Sequence, residues 1–66
     1  MKIIVNGQSS DVAADLTAEQ LIESLGLTGK RLAMEVNQDI IPRSSFTTHC
    51  FTPGDQVEIV RAIGGG

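Results

Sequence analysis

Apolar positions along the chain change period, and the changes mark out the elements. Lys2 to Asn6 carries Ile3, Ile4 and Val5 and reads as a strand. Asn6-Gly7 follows, a strong hairpin signal, because a type I′ turn needs positive φ at both central residues. Gln8 to Val12 then returns antiparallel and is polar at most positions, as an exposed edge strand tends to be. Next comes a well-specified helix start. Thr17 is placed to cap free N–H groups, Gln20 to answer it in a capping box, and Leu16 and Leu21 to staple across the cap. Leu21, Ile22 and Leu25 share one face, with Glu19, Glu23 and Ser24 turned to water. The pattern predicts a helix over Ala18 to Leu25, stopped by Gly26, with Leu27 folding back on Ile22.

Beyond the Thr28-Gly29-Lys30 loop, Arg31 to Asn37 alternates, with Leu32, Met34 and Val36 on one side and Ala33 and Glu35 on the other. Asn37-Gln38-Asp39 turns the chain into the pair Ile40-Ile41. Pro42, with no N–H for a ladder, confines that pair to a sheet edge. Ser44 to Phe51 has no sustained period and reads as a loop with at most one helical turn. Pro53-Gly54-Asp55 is a further turn, and a final strand runs from about Gln56 to Ala62. This order predicts an α+β roll, one mixed sheet of four to five strands with one helix packed across one face. If Ile3, Val5, Val57 and Ile59 face the helix, alternation places Ile4, Val60 and Ala62 on the open face, where they form a candidate docking surface.

The last strand runs into Gly64-Gly65-Gly66. A triple glycine does not continue a strand, so the expected division is a domain over 1–63 and a flexible tail over 64–66. Such an arm, free of side chains, can enter a channel too narrow for other residues and present the Gly66 carboxylate. A frayed terminus is the plainer alternative.

Size and charge narrow the functional classes. A single domain of 66 residues has no deep cleft between lobes, which favours a carrier, modifier or binding module over an enzyme. The net charge is -3, and only Lys30-Arg31 puts two bases together, without an aromatic neighbour; nucleic-acid binding is not expected. A mildly acidic surface suits protein partners with basic docking faces. Cys50 is the only cysteine, so no internal disulfide forms, and its neighbour His49 lacks the orienting group that a nucleophile and base require. A semi-buried loop thiol is the expected role of Cys50. One His and one Cys fall short of a metal-ligand set. Asp11, Asp15, Glu19 and Glu23 read as a solvated acidic edge, and Arg43 and Arg61 as partners either of Glu35 and Glu58 or of acids on another protein. No apolar run suits a signal peptide or a membrane span, so the expected setting is the reduced cytoplasm.

The Met-Lys-Ile start, Asn6-Gly7, the capped helix with Leu21 and Leu25, Val36-Asn37, Ile40-Ile41-Pro42-Arg43, Gly54-Asp55 and the terminal Gly65-Gly66 together resemble the ubiquitin-like β-grasp carriers. Within that group the whole chain is most similar to the ThiS-type sulfur carriers of thiamine biosynthesis. Gly64 departs from the alanine or other small residue that many relatives carry. The resemblance implies a substrate rather than a catalyst. A ThiF-like activating enzyme would join the Gly66 carboxylate to AMP from ATP; sulfur from a cysteine desulfurase persulfide would then displace AMP and leave a C-terminal thiocarboxylate. A ThiG-like thiazole synthase would take that sulfur into the thiazole ring. In this cycle Gly66 carries the chemistry, Gly65 admits it to the partner site and Gly64 is a hinge. No cofactor is bound, ATP being consumed by the activating enzyme, and the free protein is expected to be a monomer. The alternatives are a sulfur carrier for molybdopterin synthesis, a ubiquitin-like modifier, and a passive binding domain.

Overall fold

The computed structural model describes residues 1–61. Strands β1 (Lys2–Val5) and β2 (Gln8–Asp11) precede helix α1 (Ala18–Ser24), which is followed by β3 (Leu32–Val36), β4 (Asp39–Ile41), a 3-10 turn (Arg43–Ser45) and β5 (Gln56–Arg61). They form one five-stranded sheet in the order β2-β1-β5-β3-β4. β1 runs parallel to the central β5, and the other three pairings are antiparallel, which makes the sheet mixed as expected. Both predicted edge strands, the polar β2 and the short β4 before Pro42, lie at the edges.

The hairpin closes where the turn chemistry puts it. Asn6 and Gly7 take φ of 49° and 82°, so Val5 pairs with Gln8. Asn37 and Gln38 repeat this device between β3 and β4, with φ of 51° and 73°. Gln38 holds that conformation without the help that Gly or Asn would give.

Helix α1 satisfies every N–H at its start. The Thr17 hydroxyl accepts from Gln20 N at 3.2 Å, and the Gln20 side chain accepts from Thr17 N at 3.0 Å, the expected reciprocal box. Ala18 N and Glu19 N donate to the carbonyls of His49 and Phe46, each at 2.9 Å. The segment without a sequence period is thus fixed by the helix terminus, whose orphan donors it satisfies. At the other end Gly26, at φ 71°, donates to Glu23 O, and Leu27 N donates to Ile22 O, a Schellman stop. The helix ends at Ser24, and Leu25 is its C-cap. Leu25 therefore does not join the core face as its spacing predicts; it is 45% exposed.

The core lies between α1 and one face of the sheet. Ile3, Met34 and Val57 are the largest fully buried side chains, surrounded by Val5, Leu21, Ile22, Val36 and Ile59. Ile3, Val5, Val57 and Ile59 all face the helix, as expected. Phe46 and Phe51, from the segment without a period, complete the core.

Asp55 is the one buried charged or polar residue among the described residues. Its carboxylate accepts from Thr52 N at 2.9 Å, the Thr52 hydroxyl at 2.8 Å and the Asn37 amide at 3.1 Å. The Asn37 oxygen in turn accepts from Gln56 N at 3.0 Å, which ties the turn after β3 to the start of β5. Burial alone pushes the Asp55 carboxyl up. The Thr52 backbone and side-chain bonds and the Asn37 bond, with a smaller electrostatic contribution from the nearby His49, together outweigh it and hold the carboxyl below its ordinary value.

Two consequences are measurable. Thr17→Ala removes half the capping box and should cost about 1 kcal/mol, lowering Tm by about 4–8 °C in a thermal melt. A depressed carboxyl contributes stability that is present above the unfolded value, about pH 3.9, and is lost as pH falls through the folded one. Denaturant midpoints should therefore fall as the pH drops below about 4, and Asp55→Asn should lower the midpoint at neutral pH while flattening that acid decline.

Candidate functional site: the central strand and its open face

β5 leads directly to the glycines and is held along both edges. On one side Leu32, Ala33, Met34, Glu35 and Val36 pair with Arg61, Val60, Ile59, Glu58 and Val57. On the other, Ile4 N donates to Asp55 O at 2.9 Å and Asn6 N to Val57 O at 2.8 Å, and the Asn6 side chain reaches Ile59. Ala62, Gly64, Gly65 and Gly66, which the sequence marks as the end of the strand and the reactive tail, lie outside the described residues.

The face of the sheet away from α1 carries the other candidates. Val60 is 60% exposed and stands beside exposed Ala33. Ile4 is half-buried on the same face, but it pairs with Gln56, four positions back along β5, about 13 Å from Val60 along the strand. Ile40, which the sequence reading leaves out, is 71% exposed and stands opposite Glu35, hence on this face too. Its alternation was masked by the brevity of β4. Glu35 in turn stands opposite Glu58, two carboxylates facing each other across β3 and β5, a pairing that costs stability. Arg61 sits opposite Leu32 and Arg43 donates to the Lys30 carbonyl at 3.4 Å, so neither register nor hydrogen bonding gives these glutamates an arginine. The result is a mixed face on which Val60, Ala33 and Ile40 stand around an acidic pair.

Chemistry elsewhere is sparse. Cys50 is exposed, a correction to the semi-buried thiol expected; its backbone forms an isolated antiparallel bridge with Thr17, so it is held at the surface beside the helix cap. His49 packs edge-on against Phe51 at 5.3 Å, and its Nε2 is buried without a hydrogen-bond partner, an arrangement unlike that of a base beside a nucleophile. Among the described residues no three His, Cys, Asp or Glu side chains are grouped to hold a metal ion. A hollow of about 240 Å³ between α1 and the 3-10 turn is bordered by Glu19, Glu23 and Arg43, and one of about 440 Å³ by Asn6, Leu25 and Leu27. Neither brings together an acid, a base and a nucleophile. No helix among the described residues is long and apolar enough to cross a membrane.

Residues 3–66 match the model of the ThiS family. The sulfur carrier protein ThiS of Escherichia coli is 35% identical over 66 residues, which is 100% of both chains. A thiazole synthase of Paramagnetospirillum magneticum is 39% identical over all of this chain, which spans only 20% of that relative's length. In three dimensions, the crystal structure of the thiamine biosynthesis protein ThiS of Geobacter metallireducens superposes with a TM-score of 0.83 at 30% identity, covering 100% of each chain. A five-stranded mixed sheet with one helix agrees with the family match and with the solved structure. The chain belongs to the ThiS family, the sulfur carriers of thiamine biosynthesis, and is a carrier protein rather than an enzyme.

Proposed function

We propose that the Gly66 carboxylate is the sulfur-bearing group, with residues 64–66 acting as the arm and 1–63 as the domain that partners grip. A carboxylate is a poor electrophile. Its oxygen attacks the α-phosphorus of ATP on a ThiF-like activating enzyme, pyrophosphate leaves, and the acyl-adenylate provides AMP as a good leaving group. A persulfide supplied by a cysteine desulfurase displaces AMP at the acyl carbon. A thiol then cleaves the S–S bond and leaves a thiocarboxylate on Gly66. A ThiG-like thiazole synthase takes that sulfur, and an oxygen from water or from the sulfur acceptor replaces it at the acyl carbon and returns the chain to the carboxylate.

The observation that supports this reading most is the position of β5, the central strand, which carries the chain toward the glycines while gripped from both sides. Gly64 and Gly65 allow partner backbone to approach closely, since neither has a side chain. Partnership with a thiazole synthase draws support from the relative of that name in which a ThiS-like stretch forms part of one long chain. A covalent link of this kind raises the effective concentration of carrier at its acceptor. Docking uses the open face, with Val60 and Ala62 nearest the tail and Ile4 toward the far end of β5. The acidic centre at Glu35 and Glu58 favours a partner surface with basic side chains. The cycle runs in the cytoplasm, with the free carrier as a monomer, no bound cofactor, and ATP bound by the enzyme.

Intact-mass analysis of the chain incubated with desulfurase, activating enzyme, ATP and a thiol should show a gain equal to sulfur replacing oxygen, mapped to Gly66. Deleting Gly66 should abolish AMP formation with an unchanged thermal melt; retained AMP formation would overturn the proposal, and isopeptide-linked conjugates would point to a modifier. Val60→Asp should raise the Kd for the activating enzyme at least about tenfold, ~1.4 kcal/mol, without unfolding the domain. Unchanged affinity would remove the open face from the docking surface.

A further inference from the structure

Asn6 does two things at once. Its backbone, at φ 49°, makes the tight turn between β1 and β2. Its side chain meanwhile remains in the ladder between β1 and β5. The Asn6 Oδ1 accepts from Ile59 N at 2.8 Å and Nδ2 donates to Ile59 O at 3.4 Å, across 53 residues of sequence.

Backbone bonds run along β1 to the β5 side. Gly54 N donates to Lys2 O, Ile4 N to Asp55 O and Asn6 N to Val57 O. In a parallel pair the next rung would engage the N–H of Ile59 with a β1 carbonyl and its C=O with the N–H two residues farther along, the acceptor and donor that an extended β1 peptide backbone would bring. The chain cannot supply that peptide, because Gly7 has already turned it toward β2. The Asn6 amide has the same donor and acceptor as a peptide group and takes its place. One rung farther on, at Arg61, β5 keeps its β3 partner Leu32 but has no β1 partner among the described residues. Ile59 is thus the last residue of β5 held on both edges, and Asn6 is what holds it on this side. Gly66 lies seven residues beyond Ile59 in sequence, no farther than about 25 Å when extended. A small swing of β5 at that root is carried outward along the arm.

We infer that Asn6 is a positioning residue for the carrier reaction: its side-chain amide stands in for the missing β1 peptide and fixes the direction in which the chain leaves β5 for the activating enzyme. This rests on the proposed adenylation of Gly66. Asn6 touches neither ATP nor the carboxylate and acts through Ile59. A hairpin that needed only a turn would be served by glycine, which takes positive φ at no steric cost. The side chain is what glycine cannot replace.

Asn6→Gly separates the two roles, keeping the turn and deleting the amide. Asn6→Asp keeps the 2.8 Å acceptor but loses the donor to Ile59 O. In the free 66-residue chain, the Ile59 amide should exchange with solvent at least about tenfold faster in Asn6→Gly than in wild type, the loss of one directed hydrogen bond. Asn6→Asp should lie between them. With a ThiF-like activating enzyme and ATP, kcat for pyrophosphate release should fall about tenfold in Asn6→Gly, while KM for the carrier, set by the open face, stays within about twofold. Both are measured at a temperature where circular dichroism shows the variant folded. Unchanged Ile59 exchange, or unchanged kcat in a chain whose Ile59 exchange has risen, would overturn the inference, as would a loss expressed wholly in KM. Wild type that is never adenylated would instead remove the proposed function, and the exchange measurement on the free chain would still decide whether Asn6 holds Ile59.

Discussion

The fold depends on β5 being central. It is the middle strand of the five, parallel to β1 and antiparallel to β3, and its Val57 and Ile59 enter the core against α1. The first and last strands of the described domain are therefore neighbours, and the sheet cannot form until the ends of the sequence meet. For a carrier this has a direct consequence. The strand that leads to the glycines is paired along both edges, so the proposed arm begins from a fixed point.

A single helix covers only one face of such a sheet. In a larger protein a second layer would cover the other; here it stays in contact with water and holds Val60, Ala33 and Ile40 around two facing glutamates. Charges opposite one another across a strand pair are a cost to a small domain whose total stability is on the order of 3–10 kcal/mol. A partner that brings a base to this face relieves the repulsion on binding, and the same charges discourage a second copy of the chain from stacking there. On the proposed docking of partners at this face, stability is given up at the surface where they would be selected.

How much of this was legible in the sequence follows from the range of each interaction. The capping box, the Schellman stop and the Asn6-Gly7 turn are set by residues within a few positions of one another, and the sequence predicts them with their roles. The sheet face followed from alternation in β1 and β5. The segment from Ser44 to Phe51 did not, because what orders it is remote: Phe46 and His49 give their carbonyls to the N–H groups of α1, and Phe46 and Phe51 fill core space left beside a seven-residue helix. Leu25 was misplaced because the spacing of apolar residues does not reveal that the helix stops one residue earlier. Ile40 was missed because three residues are too few to display a period. The carrier family was legible only through the glycines and the family likeness, since the described residues bring together no acid, base and nucleophile.

Asn6 belongs to a class that local reading assigns correctly and incompletely. Asparagine before glycine is explained by the turn, and once a residue is explained there is no reason left to look for a second role. Yet glycine, asparagine and aspartate all accept the backbone angle, and of these only asparagine offers both a donor and an acceptor beyond it. A residue used where a simpler one would serve locally is a signal that its side chain has a distant partner. Here that partner is Ile59, the last point at which the strand bearing the arm is gripped from both sides. The turn and the root of the arm are thereby joined in one side chain, and a change made to improve the first acts on the second.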